Sequence, residues 1–381
     1  MARSANNNTS SSTSTAILSR PTEARPIAWA GAGAKNFTEP VTIAEAIEEA
    51  NLGFGVEKQT LVHFTDDEIS AILNNEPSFD LSTLRSRVVA NHKATVRDDN
   101  GSVLGIVGKD YGVVQNAKAF EFIDFIEEVA GVEPRIETAG AFRGGAQIFV
   151  TARLGGDSFL SPDDAVRNYV VFTNTHDGSG SVMAFFTPVR IVCQNTLNMA
   201  IAGASNKLTF RHTSHVNERL DWQNEENKRK AYEVFAQGTA FSQKFMEAML
   251  GLRDTQVSSD YVKEFAASIY LSDKKAMNAF IRNGRSAEGV DEISGKARNK
   301  INGLLDSIEY GVGQDLYRGS KLWLINGVTT FAHNELKYKD AETEFLSTLS
   351  GDLSHKVQKA YNSLVASGTD HLVHVVKEAV A

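Results

Sequence analysis

Hydrophobic and polar positions divide the chain into two differently patterned halves. Between residues 56 and 190 the apolar positions come in short runs of strand length, separated by clusters rich in glycine, asparagine and aspartate. Val56–Phe64, Val88–Val96 and Val103–Val107 alternate as strands do, and Asp98-Asp99-Asn100-Gly101 supplies a turn between the last two. Ile136–Phe142 and Gln147–Leu154 form a hairpin across Arg143-Gly144-Gly145. Val170–Phe172 and Val182–Phe186, continued by Val189–Cys193, form another around Asn174-Thr175-His176-Asp177-Gly178-Ser179-Gly180. Two helices interrupt these strands. Thr42-Ile43-Ala44-Glu45 opens the first with a capping box, and Gly53 and Gly55 end it. In the second, Asn116–Val129, Phe120, Ile123, Phe125 and Ile126 recur at helical spacing.

From residue 214 the period changes to that of long amphipathic helices. Val216–Leu250 holds Gly238 as its only glycine. Ser259–Leu271, Lys274–Arg282, Ala297–Ser307, Ser320–Leu336, Ala341–Leu349 and Ser354–Ala366 follow as helices. The pattern predicts an α+β protein: an antiparallel or mixed sheet of roughly seven strands with packed helices, then a helical C-terminal half. The expected divisions are a disordered leader over 1–26, a sheet-rich domain over 27–213 and a helical region over 214–381.

Composition narrows the functional classes. A chain of 381 residues with 42% hydrophobic content can bury a large core. No apolar run is long enough to cross a bilayer, and the polar N-terminus lacks a signal peptide's hydrophobic region. The single cysteine, Cys193, excludes an internal disulfide, suits a reducing cytoplasm and reads as a small buried hydrophobe. One cysteine and nine histidines without zinc-type spacing predict no metal site, and no P-loop or GxGxxG predicts a nucleotide cofactor. The expectation is therefore a cytoplasmic protein without cofactor or membrane partner.

Charge adds one local signal. The net charge of −8 opposes a uniformly basic nucleic-acid coat, yet residues 178–217 contain no Asp or Glu among 47 acids in the chain. That window holds Arg190, Lys207, Arg211 and His212, with the amides Gln194 and Asn195 and the aromatic Phe185, Phe186 and Phe210. Cations for phosphates and flat side chains for bases are what a single-strand surface needs, and Arg143 of the glycine turn adds a cation to them. Buried strands also lack acids, so burial explains part of the gap. Arg190, inside an apolar strand, needs either an internal carboxylate or an anion. The loop residues Asn174, His176, Asp177 and Ser179 form a second candidate. They carry a nucleophile and a base on what reads as an exposed turn, although neighbouring turn residues seldom face one another.

Several of these segments carry a resemblance. Thr175-His176-Asp177-Gly178-Ser179, followed by Phe185–Asn198 (FFTPVRIVCQNTLN), resembles the phage/plasmid-like protein family, domain of unknown function 932. Gly108, Tyr111, Val114, Gln115 and Asn116 are similar to its G-x-x-Y-x-x-V-Q-N element. Thr138-Ala139-Gly140 with Arg143-Gly144-Gly145 resembles its glycine hairpin, and Phe210–Thr213 and Trp323–His333 its later segments. Near the start, Trp29, Gly31 and Gly33 match the opening motif, with Ala30 where histidine is usual. The resemblance runs over residues 27–365. It implies a mobile-element setting and brings no established activity.

Three functions follow as expectations. The first is a non-enzymatic protein that binds single-stranded DNA in phage or plasmid replication or recombination, alone or as a homo-oligomer. The second is a hydrolase or nuclease-like enzyme centred on His176 and Asp177. The third is a host-takeover or anti-defence protein that acts through protein contacts.

Overall fold

The computed structural model describes residues 34–74, 86–131, 133–190, 207–311, 314–334, 339 and 352–366. The leader, Gln194, Asn195, Cys193 and the helix expected over 341–349 lie outside the described residues. Nine strands occur among those described, arranged in two antiparallel sheets where the sequence pattern suggested one. The large sheet has the order β1-β5-β6-β7-β8-β9, from β1 (Lys35–Asn36), β5 (Arg135–Phe142), β6 (Gln147–Ser161), β7 (Asp164–Thr175), β8 (Val182–Arg190) and β9 (Lys207–Phe210). The small sheet joins β2 (Val56–Val62), β3 (Val88–Arg97) and β4 (Val103–Gly108).

Local chemistry explains the boundaries. Thr42 caps α1 (Ile43–Glu49) in the expected capping box, and Thr65 does the same for α2 (Asp66–Leu73). Gly101, at φ 73°, turns the chain between β3 and β4. Helix α3 (Ala117–Ala130) ends at Gly131 in the left-handed conformation. The long apolar pattern after residue 216 resolves into a short α4 (Val216–Arg219) and a 30-residue α5 (Glu225–Asp254), opened by the Asn224 side chain on the Glu226 and Asn227 amides. The rest of the helical half comprises α6 (Ser259–Tyr270), α7 (Lys274–Arg282), α8 (Gly295–Tyr310), α9 (Lys321–Asn334) and α10 (Asp352–Ala366).

Helices α3 and α5 cover one face of the large sheet. Phe122, Ile126, Val150, Phe172, Ala184 and Phe186 form that core together with Trp222, Ala231 and Val234. A second core gathers Phe245, Leu252, Leu304, Leu324, Val328 and Tyr361 around Leu160 and Val166, which come from the far end of the sheet. No helix among the described residues is long and apolar enough to cross a membrane.

Candidate functional site

Strand alternation decides where the central loop points. Asn174, like Phe172, faces α3 and the segment leading into it, so its amide donates to the Val114 carbonyl at 2.9 Å. His176 lies two residues further along on the same side and is fully buried. This overturns the reading of an exposed histidine: β7 runs through Thr175, into the segment read as a turn, and the chain emerges towards solvent only from Asp177. Gly178, at φ 78°, carries the chain through it.

The hydrogen bonds around His176 fix its tautomer. Asn116 donates its amide hydrogens to the carbonyls of Leu52 (3.0 Å) and Phe54 (3.1 Å). Its oxygen is left to accept, so the 2.9 Å contact to His176 Nε2 is Nε2–H donating to Asn116. His176 Nδ1 is then a bare acceptor, buried without a partner among the described residues. The backbone is pinned as well: His176 N–H donates to the Ala146 carbonyl at 2.6 Å, and its carbonyl accepts from Thr95 Oγ1 at 2.6 Å. Burial, reinforced by nearby His212, lowers the imidazole pKa to about 4, partly offset by Asp177.

A second imidazole closes the cluster. His212 stacks on Tyr111 with ring centroids 4.5 Å apart and planes 10° from parallel. Its Nδ1–H donates to the Gly112 carbonyl at 2.9 Å, while the Gly112 N–H donates to the His212 carbonyl. His212 Nε2 is buried without a partner among the described residues, and burial holds this imidazole below its ordinary pKa. The Tyr111 hydroxyl donates to the Thr175 carbonyl at 2.6 Å; burial and the neighbouring Asp177 raise its pKa. Close packing needs glycine here. A Cβ on Gly105 would lie 2.4 Å from Asp177 Cα, and one on Gly112 2.2 Å from the Thr213 carbonyl oxygen.

Asp177 and Ser179 turn outward and serve each other. Asp177 Oδ1 accepts from the Ser179 amide (2.9 Å) and hydroxyl (2.6 Å), and Oδ2 pairs with Arg143 at 3.3 Å. No hydrogen bond among the described residues joins His176 to either of them, so the nucleophile-and-base arrangement does not form within the loop.

The cations expected from the sequence divide between the two ends of the sheet. Arg143 at the β5–β6 turn and Arg211 after β9 share the end that carries Asp177. Arg190 closes β8 at the other end, eight residues from Val182 and so roughly 27 Å away. Lys207 is half-buried in β9, opposite Phe185. Phe185 and Phe186 are core residues, so neither presents a stacking face to a base, and Phe210 is half-buried at a T-shaped contact with Trp222. This corrects the sequence reading, because β8 has strands on both sides and both of its faces are covered.

What the window misses is supplied by residues far away in sequence. Lys58 of β2 donates to the carbonyls of Tyr111 (2.7 Å) and Lys109 (3.1 Å), which places its ammonium beside the Tyr111–Gly112 loop. Lys109 and Arg211 are exposed on either side of that loop. Lys58, Lys109 and Arg211 have no carboxylate partner among the described residues. Asp110 and Asp177 share this surface, the latter bridged to Arg143. The only sequence clue to this assembly was that its pieces recurred as unusual motifs. Residues 108–116, 143–145, 174–179 and 211–213 meet at one junction. Among the described residues no group of three or more His, Cys, Asp or Glu is placed to hold a metal ion.

No curated protein and no solved structure matches the chain. One family model does, over residues 103–349, and this span contains all four junction segments. The chain therefore belongs to the family described as Domain of unknown function (DUF932).

Proposed function

We propose that this protein binds single-stranded DNA, in the replication or recombination of a phage or plasmid, without hydrolysing a nucleotide. The observation that supports this reading most directly is the convergence of Lys58, Lys109 and Arg211 on the Tyr111–Gly112 loop. Cations without carboxylate partners, in a chain of net charge −8, form the local positive surface that a phosphate backbone requires. Arg143 extends it along the same end of the sheet. The packed imidazole pair beneath makes the loop a fixed platform. Lys207 and Arg190 stay in the proposal as residues along the path to the opposite end, and Gln194 and Asn195, outside the described residues, stay as candidates from the sequence. The hydrolytic alternative has less support, because His176 is directed at Asn116 and away from Ser179.

The test is fluorescence anisotropy with single- and double-stranded oligonucleotides over a range of salt. The expected outcome is salt-sensitive binding that prefers single strands. Replacing Lys109 and Arg211 together by alanine should lower the slope of log K against log salt by about 1.4, near 0.7 for each lost single-strand phosphate contact. Absence of binding at low salt would refute the proposal. An unchanged slope in the double variant would move the site away from this loop.

A further inference from the structure

We infer that the outer edge of β2 is a self-association surface, on which a second copy of this chain pairs its own β2 in antiparallel register. The strand shows which of its groups face outward. Gly55 accepts from the Asp98 amide, so it faces β3. Val56, next in line, has its N–H and carbonyl taken by the Gln115 side chain, at 3.0 and 2.9 Å. That amide sits where a neighbouring strand would, and it closes the edge at Val56 alone. Alternation puts the N–H and carbonyl of Lys58 and Thr60 on the same outward side. Both residues are exposed, and nothing among the described residues bonds those groups. An open edge of this kind is a template for another strand.

Exposed apolar side chains concentrate on the same unit. Seven of the eleven large hydrophobic residues found exposed, among those described, belong to the small sheet and to α2. They are Ile69, Ile72 and Leu73 on the helix, with Val88, Val89, Val103 and Ile106 on the strands. Leu73 is 76% exposed, and no residue of α2 is buried. This helix has a full capping box and an Arg87–Glu68 ion pair holding it to the start of β3, yet its apolar stripe faces solvent. The five on α2 and the start of β3, where Val88 pairs with Val62 of β2, mark an interaction surface next to that edge, while Val103 and Ile106 stand on β4 at the other edge of the sheet.

The charges favour a second copy as the occupant. Pairing about a two-fold axis at Thr60 sets Thr60 opposite its counterpart and Lys58 opposite Val62, so no two lysines face each other. The acidic turn Asp66-Asp67-Glu68 follows Val62 closely, which brings it towards the other copy's Lys58. The register is self-complementary, as a two-fold interface requires. Lys58 serves both surfaces, whereas Lys109 and Arg211 lie outside the pairing and Thr60 and Ile72 outside the cation cluster, so their variants let the two proposals fail separately.

Sedimentation velocity of the full chain, free of nucleic acid, measures the mass. The expected result is a dimer. Thr60→Pro removes one outward N–H without touching the ladder to β3, and Ile72→Glu charges the apolar stripe; each should return the monomer mass with unchanged circular dichroism. In a Cys193→Ser background, Thr60→Cys should form a covalent dimer on oxidation, since directly paired strand residues lie near 5.5 Å between Cα atoms. Lys58→Cys, four positions from its own counterpart in this register, should not. A monomeric wild type at all concentrations would overturn the inference. So would equal cross-linking at both positions, or dimers that survive both Thr60→Pro and Ile72→Glu.

Discussion

His176 is the residue on which chemistry and fold stability are most closely joined. Its pKa falls from 6.5 to about 4 on folding, because a cation there would be desolvated beside His212. As pH drops, the unfolded chain takes up the proton first. The stabilisation is thus fully present above pH 6.5 and is lost as pH falls towards 4, by about 3 kcal/mol over that interval. Urea unfolding at pH 7 and pH 5 should show this loss. His176→Gln keeps an N–H for Asn116 and cannot titrate, so its stability should change less over the same interval. Equal pH dependence in both proteins would remove His176 as the source. The sequence displayed this histidine only as a neighbour of Asp177, Gly178 and Ser179, which made it look like part of an exposed turn. Its partners Thr95 and Asn116 lie 81 and 60 residues upstream, and no local pattern links positions so far apart.

Individual elements were more readable than their assembly, because capping and periodicity are local properties. The Lys274–Arg282 helix has the bounds its pattern suggested, and the Thr42–Glu45 capping box forms as written. Gly238 shows where local reading stops. Within an exposed helix, glycine costs about 1 kcal/mol against alanine, so Gly238→Ala would ordinarily stabilise α5. Here the new Cβ would stand 2.6 Å from Phe186 Cβ, where the helix crosses β8. Gly238→Ala should therefore destabilise the protein, by about 1–3 kcal/mol, as overpacking does. Thermal denaturation checks the sign, and a higher midpoint in the variant would mean that the helix can move off the sheet. Similar reasoning explains why one sheet was expected and two are present. Each strand announces its own alternation, whereas β4 packs on the Asp177 turn through the bare face of Gly105, a contact that alternation does not encode.

At the scale of the whole molecule, α5 is the member shared by both halves. Its early residues Ala231 and Val234 belong to the sheet core with Trp222, and its later residues Phe245, Ala248, Met249 and Leu252 to the helical core with Trp323. The sheet reciprocates, since Leu160 and Val166 are buried among the helices. A break in α5 would expose apolar surface in both cores at once, which couples their stabilities whatever boundary is drawn near residue 213. The two tryptophans allow this coupling to be measured. With Trp29→Phe in each case, a Trp323→Phe variant reports on the sheet core through Trp222, and a Trp222→Phe variant on the helical core through Trp323. Each is normalised to its own midpoint by circular dichroism. Both fluorescence signals should follow the loss of helix in one transition. A Trp323 signal that changes well before the helix content, with Trp222 still native, would show that α5 yields between its two cores and that the helical region folds as a unit of its own.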